Sequence, residues 1–177
     1  SSVTNMQQMF NSNHSFNQNI SSWNVSSVIS MYGMFYYADA FNQDLDSWDV
    51  SSVTNMRSMF GRADAFNQDI GSWNVSSVTD MGWMFYYSAF NQDISSWNVS
   101  NVTNMARMFH GATVFNQNIG SWDVSNVTDM NYMFRDADVF NQDLSGWCVS
   151  NISSQPVLFD SRATAWTAAK PVWGTCP

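Results

Sequence analysis

Three sets of side chains in this sequence have types and spacings that could do chemistry. The first is an acidic column. Asp44, Asp69 and Asp93 stand 25 and 24 residues apart, with Asp143 further on and Asn19 and Asn118 at the same phase. Stacked carboxylates repel one another, and a hard cation with oxygen ligands would relieve that, so calcium is the metal to consider. Asn replaces Asp twice, and no glycine-rich calcium loop accompanies the column. It reads first as turn or edge hydrogen bonding, with calcium as a weak second reading. The second set pairs methionines, Met81 with Met84 and Met105 with Met108. Thioethers suit copper. At this spacing, beside Phe85 and Phe109, they read instead as adaptable core filling. The third set is the two histidines, His14 and His110, placed at comparable points after a Met-Phe pair and read as solvated loop residues. No histidine or cysteine cluster has metal-site spacing. No nucleophile has a readable base, and no glycine loop could cradle a phosphate. The expectation is a protein without catalytic residues or cofactor, and not an enzyme.

What must position these columns is a repeat. Trp23, Trp48, Trp73, Trp97, Trp122 and Trp147 are spaced 25, 25, 24, 25 and 25, each seven residues after a Phe. The single deletion falls where YYADAF at 36–41 becomes YYSAF at 86–90, in a connection where shortening costs least. Within one unit, Ile94, Trp97 and Val99 alternate like a short strand with one buried face. Val102, Met105, Met108, Phe109 and Ala112 trace one face of a short helix, with Asn101 or Thr103 placed to cap it. About nine residues per unit point inward, too few for a core unless units stack. The chain divides into six tandem repeats over 1–147 and a degenerate capping repeat over 148–177. In that cap Gln155 and Leu158 stand at the Met positions, Trp166 stands for Phe, and Trp173 follows seven later. The only cysteines, Cys148 and Cys176, lie about one unit apart in the cap, so adjacent rungs bring them close enough to bridge. A disulfide implies an oxidising, extracellular compartment; two free thiols are the alternative.

Asn17-Gln18 and the five equivalent pairs never vary. Stacked about 4.8 Å apart, they read as a ladder of amides bonded to one another and to turn backbone. The outward strand columns are Ser22 and Asn24, Ser47 and Asp49, Ser72 and Asn74, Ser96 and Asn98, Ser121 and Asp123. They predict a flat polar face. Glycosylation sequons begin at Asn13, Asn19, Asn24, Asn74, Asn98, Asn101, Asn126 and Asn151, and glycans there would coat that face in a secreting eukaryote.

Charge narrows the partners. Only 11% of residues are charged and the net charge is −8, so no basic patch exists to neutralise phosphates, and an anionic membrane surface is equally unsuited. No apolar run approaches the roughly 20 residues that span a bilayer. The opening residues enter the repeat in mid-phrase, as a processed chain or a piece of a longer one would.

The phrase FNQDISSWNVSNVTNMARMF at 90–109 resembles the 26-residue repeat of bacterial surface proteins, related to the BspA-like class of leucine-rich repeats. The resemblance covers essentially the whole chain, including the ending KPVWGTCP. Ile94, Trp97 and Val99 fill the apolar positions of a leucine-rich repeat, while Val102 stands at its asparagine. The resemblance implies an α/β solenoid, right-handed and leucine-rich-repeat-like, of about seven turns of ~25 residues, each a short strand plus a short helix and straighter than a horseshoe. It also implies a secreted or surface-anchored protein in adhesion or interaction roles, without catalysis. The expected function is a non-enzymatic extracellular structural or interaction protein. Its first rung (Val3, Met6, Met9, Phe10) would meet Trp166 and Trp173 of another copy head-to-tail, or upstream repeats. The alternative is a cell-surface adhesin binding an extracellular protein or glycan through the polar strand face. Neither nucleic acid nor membrane insertion is expected.

Overall fold

Val53, Met56, Met59, Phe60, Ala63, Phe66, Ile70, Trp73 and Val75 are all buried, and the same nine positions are buried in the repeats on either side. That is the inward set expected of a stacked unit. In the computed structural model, which describes residues 2–177, each repeat forms one coil laid upon the next. Fully burying a large apolar side chain contributes roughly 1.5–3 kcal/mol, so each added coil brings its own share of one continuous core.

The helix-plus-strand coil is not what forms. Among the described residues there is no α-helix, and strand pairing reduces to single parallel bridges linking Asn5, Ser30, Asn55, Asp80, Asn104 and Asp129 in sequence. The chain is therefore not an α/β, leucine-rich-repeat-like stack of strands and helices. Where a helix was expected, alternate amides do different jobs. The N–H groups of Met31, Gly33, Phe35 and Tyr37 donate to the carbonyls of Asn55, Arg57, Met59 and Gly61 in the following coil, at 2.8–3.0 Å. The intervening Met34, Tyr36 and Ala38 close turns onto Met31, Gly33 and Phe35. An α-helix would send these donors four residues back along its own axis. The result is a ribbon of successive turns pinned edge-on to its neighbours.

This ribbon needs two left-handed residues per coil, four apart: Gln8 and Ser12, Gly33 and Tyr37, Ser58 and Arg62, Trp83 and Tyr87, Arg107 and Gly111, Tyr132 and Asp136, Leu158 and Arg162. Glycine fills only two of these places, and each of the others carries about 1–2 kcal/mol of backbone strain. The stack offsets it. Packed helices keep their axes 8–10 Å apart, whereas hydrogen-bonded backbones sit under 5 Å apart. A coil with a helix on one side and backbone bonds on the other would splay. The turn ribbon lets both sides stack at one spacing, and Phe10, Phe35, Phe60, Phe85, Phe109 and Phe134 form a column of parallel rings 5.6–6.1 Å apart. The apolar offsets of three and four are common to helix and turn ribbon, which is why the pattern misled.

The predicted strand at 94–102 is likewise two turns, Trp97 N–H to Ile94 and Val102 N–H to Val99. Each Trp from the second coil to the sixth sends its indole N–H to a backbone carbonyl of the previous coil, as Trp97 does to Ile70 at 3.1 Å. In the shortened repeat, the Phe90 N–H has lost its carbonyl partner and finds the hydroxyl of Ser88 instead, at 3.2 Å. That accounts for a buried serine where other coils have alanine. In the cap, Phe159 and not Leu158 occupies the inward Met position, because the Phe134 N–H pairs with the Phe159 carbonyl while Leu158 points outward. Cys148 and Cys176 are joined by a disulfide.

Candidate functional site

The acidic column and the outward strand columns singled out in the sequence are exposed, the amide ladder is partly buried, and most of these side chains are occupied in holding backbone. Asp44, Asp69 and Asp93 accept the N–H two residues on, at 2.8, 2.9 and 2.8 Å. Hydrogen bonds from Ser95 hold the Asp93 carboxyl below the ordinary carboxylate range. Among the described residues no three His, Cys, Asp or Glu side chains converge as metal ligands would. Asn24, Asp49, Asn74, Asn98 and Asp123 make the same turn one corner later. Of the serines beside them, Ser47 and Ser96 donate to carbonyls of the preceding coil, and Ser72 to the Asp46 carboxylate. The invariant amides form the expected ladder: each Asn Oδ1 accepts the N–H of its successor, as Asn42 does from Asn67 at 3.0 Å, and Gln68 donates to the same oxygen. Among the sequons, Asn101, Asn126 and Asn151 already donate their Nδ2 to carbonyls of the preceding coil. Asn13, Asn19, Asn24, Asn74 and Asn98 are exposed.

At the N-terminal end Val3 and Met9 are exposed and Phe10 is half-buried, while Met6 is buried. At the other end Trp166 is buried against Phe134, Phe140 and Phe159, and Trp173 packs edge-on to Phe159. The two histidines are not equivalent. His14 is exposed and lies 2.8 Å from Asp39. His110 is buried, contrary to the loop placement, with its ring among Tyr86, Tyr87 and Tyr132. Burial, and then the Arg135 charge, push its pKa below the ordinary value, while Asp136 at 3.4 Å opposes them.

The concentration of recognition chemistry lies elsewhere, on the outer side of the turn ribbon. Four positions per coil point outward there, at 7–8 and 11–12 and their equivalents, and they vary from coil to coil. All five arginines (Arg57, Arg62, Arg107, Arg135, Arg162) and all six tyrosines occupy this grid, with Trp83 and His110. Arg62 lies 4.1 Å from the Tyr87 ring centroid and 5.5 Å from that of Tyr86. Arg107 is sandwiched between Trp83 at 4.6 Å and Tyr132 at 4.3 Å. Three glycines of this grid make room for bulk in the coil before. A Cβ on Gly61 would meet the Tyr36 ring at 2.9 Å, one on Gly82 the Arg57 guanidinium at 3.1 Å, and one on Gly111 the Tyr87 ring at 2.6 Å. Each glycine is the bed on which a large side chain of the previous coil lies. The signal was present in the sequence: these are the positions where otherwise identical repeats disagree.

No curated protein and no solved structure matches the chain. A family model matches residues 1–89 and again residues 73–172, so the repeat is a family feature and the chain belongs to the family described as Mycoplasma protein of unknown function, DUF285.

Proposed function

We propose that this chain is a non-enzymatic, extracellular interaction module that recognises its partner through the ribbon face, with Tyr36, Arg62, Trp83, Tyr87 and Arg107 at its centre. The observation that carries this reading is the gathering of every arginine and every tyrosine on one face of a chain of net charge −8. Tyr, Trp and Arg dominate the energetics of protein recognition surfaces. The polar column face is a poor rival, because most of its side chains are occupied in capping turns and bonding the coil beneath. A disulfide between rungs supports an oxidising compartment, and the likeness of the repeat to BspA-like surface proteins points to the same location. Head-to-tail assembly is less favoured, since Trp166 and Trp173 are packed into the cap.

The test is binding of the intact chain to an array of extracellular-matrix proteins and glycans. A variant carrying Arg62→Ser, Tyr87→Ser and Arg107→Ser should lose binding. A variant with Ser47→Lys and Ser121→Lys on the polar columns should retain it. The opposite pattern would sink the reading.

A further inference from the structure

On the ribbon face, Trp83, Arg107 and Tyr132 stand in one column, at the first left-handed position of three successive coils, and stack as aromatic, cation, aromatic. In the two preceding coils that column holds Ser58 and Gly33, so the stack stops at Trp83. A hollow of about 220 Å³ opens there, walled by Trp83, Tyr36 and Arg57 and floored by Ser58 and Gly33. It is smaller than the 300–1,000 Å³ of ordinary small-molecule pockets, which suits one ring-sized group.

The chemistry of the wall selects among such groups. Arg57 is only loosely paired with Asp80, at 3.9 Å, and about a third of its side chain is exposed. Among the described residues the side chains of Ser58, on the floor, and Gln8, at the rim, have no hydrogen-bond partner, so the hollow offers open donors beside aromatic rings. A partner's guanidinium would stack on Trp83 but meet the Arg57 charge. A partner's aromatic ring would cover Arg57 and Ser58 and give them nothing to bond, which is costly. A sugar ring satisfies both halves: its C–H face lies on the indole while its hydroxyls accept from Arg57 and exchange hydrogen bonds with Ser58 and Gln8. Asp80, 3.9 Å from Arg57, offsets only part of its charge, so the hollow rejects a cation without demanding an anion, which favours an uncharged sugar.

We propose that this hollow is a glycan subsite that holds one neutral pyranose ring against Trp83. The proposal rests on the ribbon face being the recognition surface and names what one part of it takes. A single ring in so open a site binds weakly, with a dissociation constant on the order of 1 mM.

The experiment is a titration of the ¹⁵N-labelled chain with the methyl glycosides of glucose, galactose, mannose and N-acetylglucosamine. The indole N–H signals are followed by NMR, and that of Trp83 is assigned by its absence in Trp83→Leu. At least one glycoside should shift the Trp83 signal saturably. Ser58→Tyr, which fills the hollow from an outward position, should weaken that glycoside at least tenfold while the buried indole signals stay in place. If none of the four shifts Trp83, or if the shift survives Ser58→Tyr, the subsite assignment is overturned. If arginine amide or N-acetyltyrosine amide shifts Trp83 while no glycoside does, the hollow is a protein contact instead. Failure here with binding to the array still lost in the triple face variant removes the sugar alone. Retention of array binding by that variant removes the wider reading, whatever the glycosides do.

Discussion

The two sides of each coil are held by different means. From Ile94 to Val102 the corners are held by side chains. Asp93 and Asn98 cap turns, Ser96 and Asn101 bond the coil beneath, and the Trp97 indole reaches a carbonyl of Ile70. Those side chains have no freedom to change, and the repeats are nearly identical there. From Met105 to Gly111 the ribbon is held mainly by backbone, through Met105, Arg107, Phe109 and Gly111 donating to the next coil, with one side-chain bond at its start, where the Ala106 N–H donates to Asn104 Oδ1. The outward side chains of that stretch carry little of this support, and there the repeats differ. Where main chain bonds to main chain, side chains are released for recognition.

The core beneath the capped side is the most sensitive part of the molecule. Trp97→Ala should cost about 3–5 kcal/mol, from the lost volume and an orphaned carbonyl, measured by chemical denaturation. Trp83→Ala on the ribbon face should cost only about 1 kcal/mol, the scale of its cation–π contact. Equal losses would mean that Trp83 is structural. Reduction of the Cys148–Cys176 bridge should cost about 3 kcal/mol, because it closes a sequence separation of 28 residues. Gly111→Ala combines a left-handed backbone with a contact of 2.6 Å to Tyr87 and should cost about 2 kcal/mol, read from the shift in denaturation midpoint.

The ribbon face should also carry the pH dependence near neutrality. His110 titrates below its ordinary 6.5, so the folded protein favours the neutral ring. Its contribution is complete above pH 6.5 and is lost as pH falls through the lower folded value. The denaturation midpoint should therefore drop as pH falls below 6.5, and His110→Gln should flatten that fall. The stability contributed by the depressed aspartates Asp49 and Asp123 is complete above the ordinary carboxyl value of 3.8 and is lost only as pH falls below it, so the two sides separate by pH. The smallest effect has a diagnostic sign. Ser58 has φ +57, so Ser58→Gly should stabilise by about 0.5 kcal/mol once strain relief is set against chain entropy. In a helix the same change would destabilise.

The repeat length, the nine inward residues, the amide ladder and the bridge between Cys148 and Cys176 could all be read from the amino-acid order. Each depends on identity at a fixed interval, and stacking turns that interval into contact. The secondary structure could not be read. Met105, Met108, Phe109 and Ala112 present one apolar stripe in a helix and the same stripe in a turn ribbon. What separates the two is the hydrogen-bond partner of each amide, and that partner lies in another coil. The ribbon face proposed for recognition was written in the sequence as disagreement between repeats, but Arg62 and Tyr87 become neighbours only because coils stack with a fixed register. Sequence alone determined that this chain repeats and what each coil buries. Tertiary structure decided that its backbone bonds run between coils, and so which side chains are left free to bind.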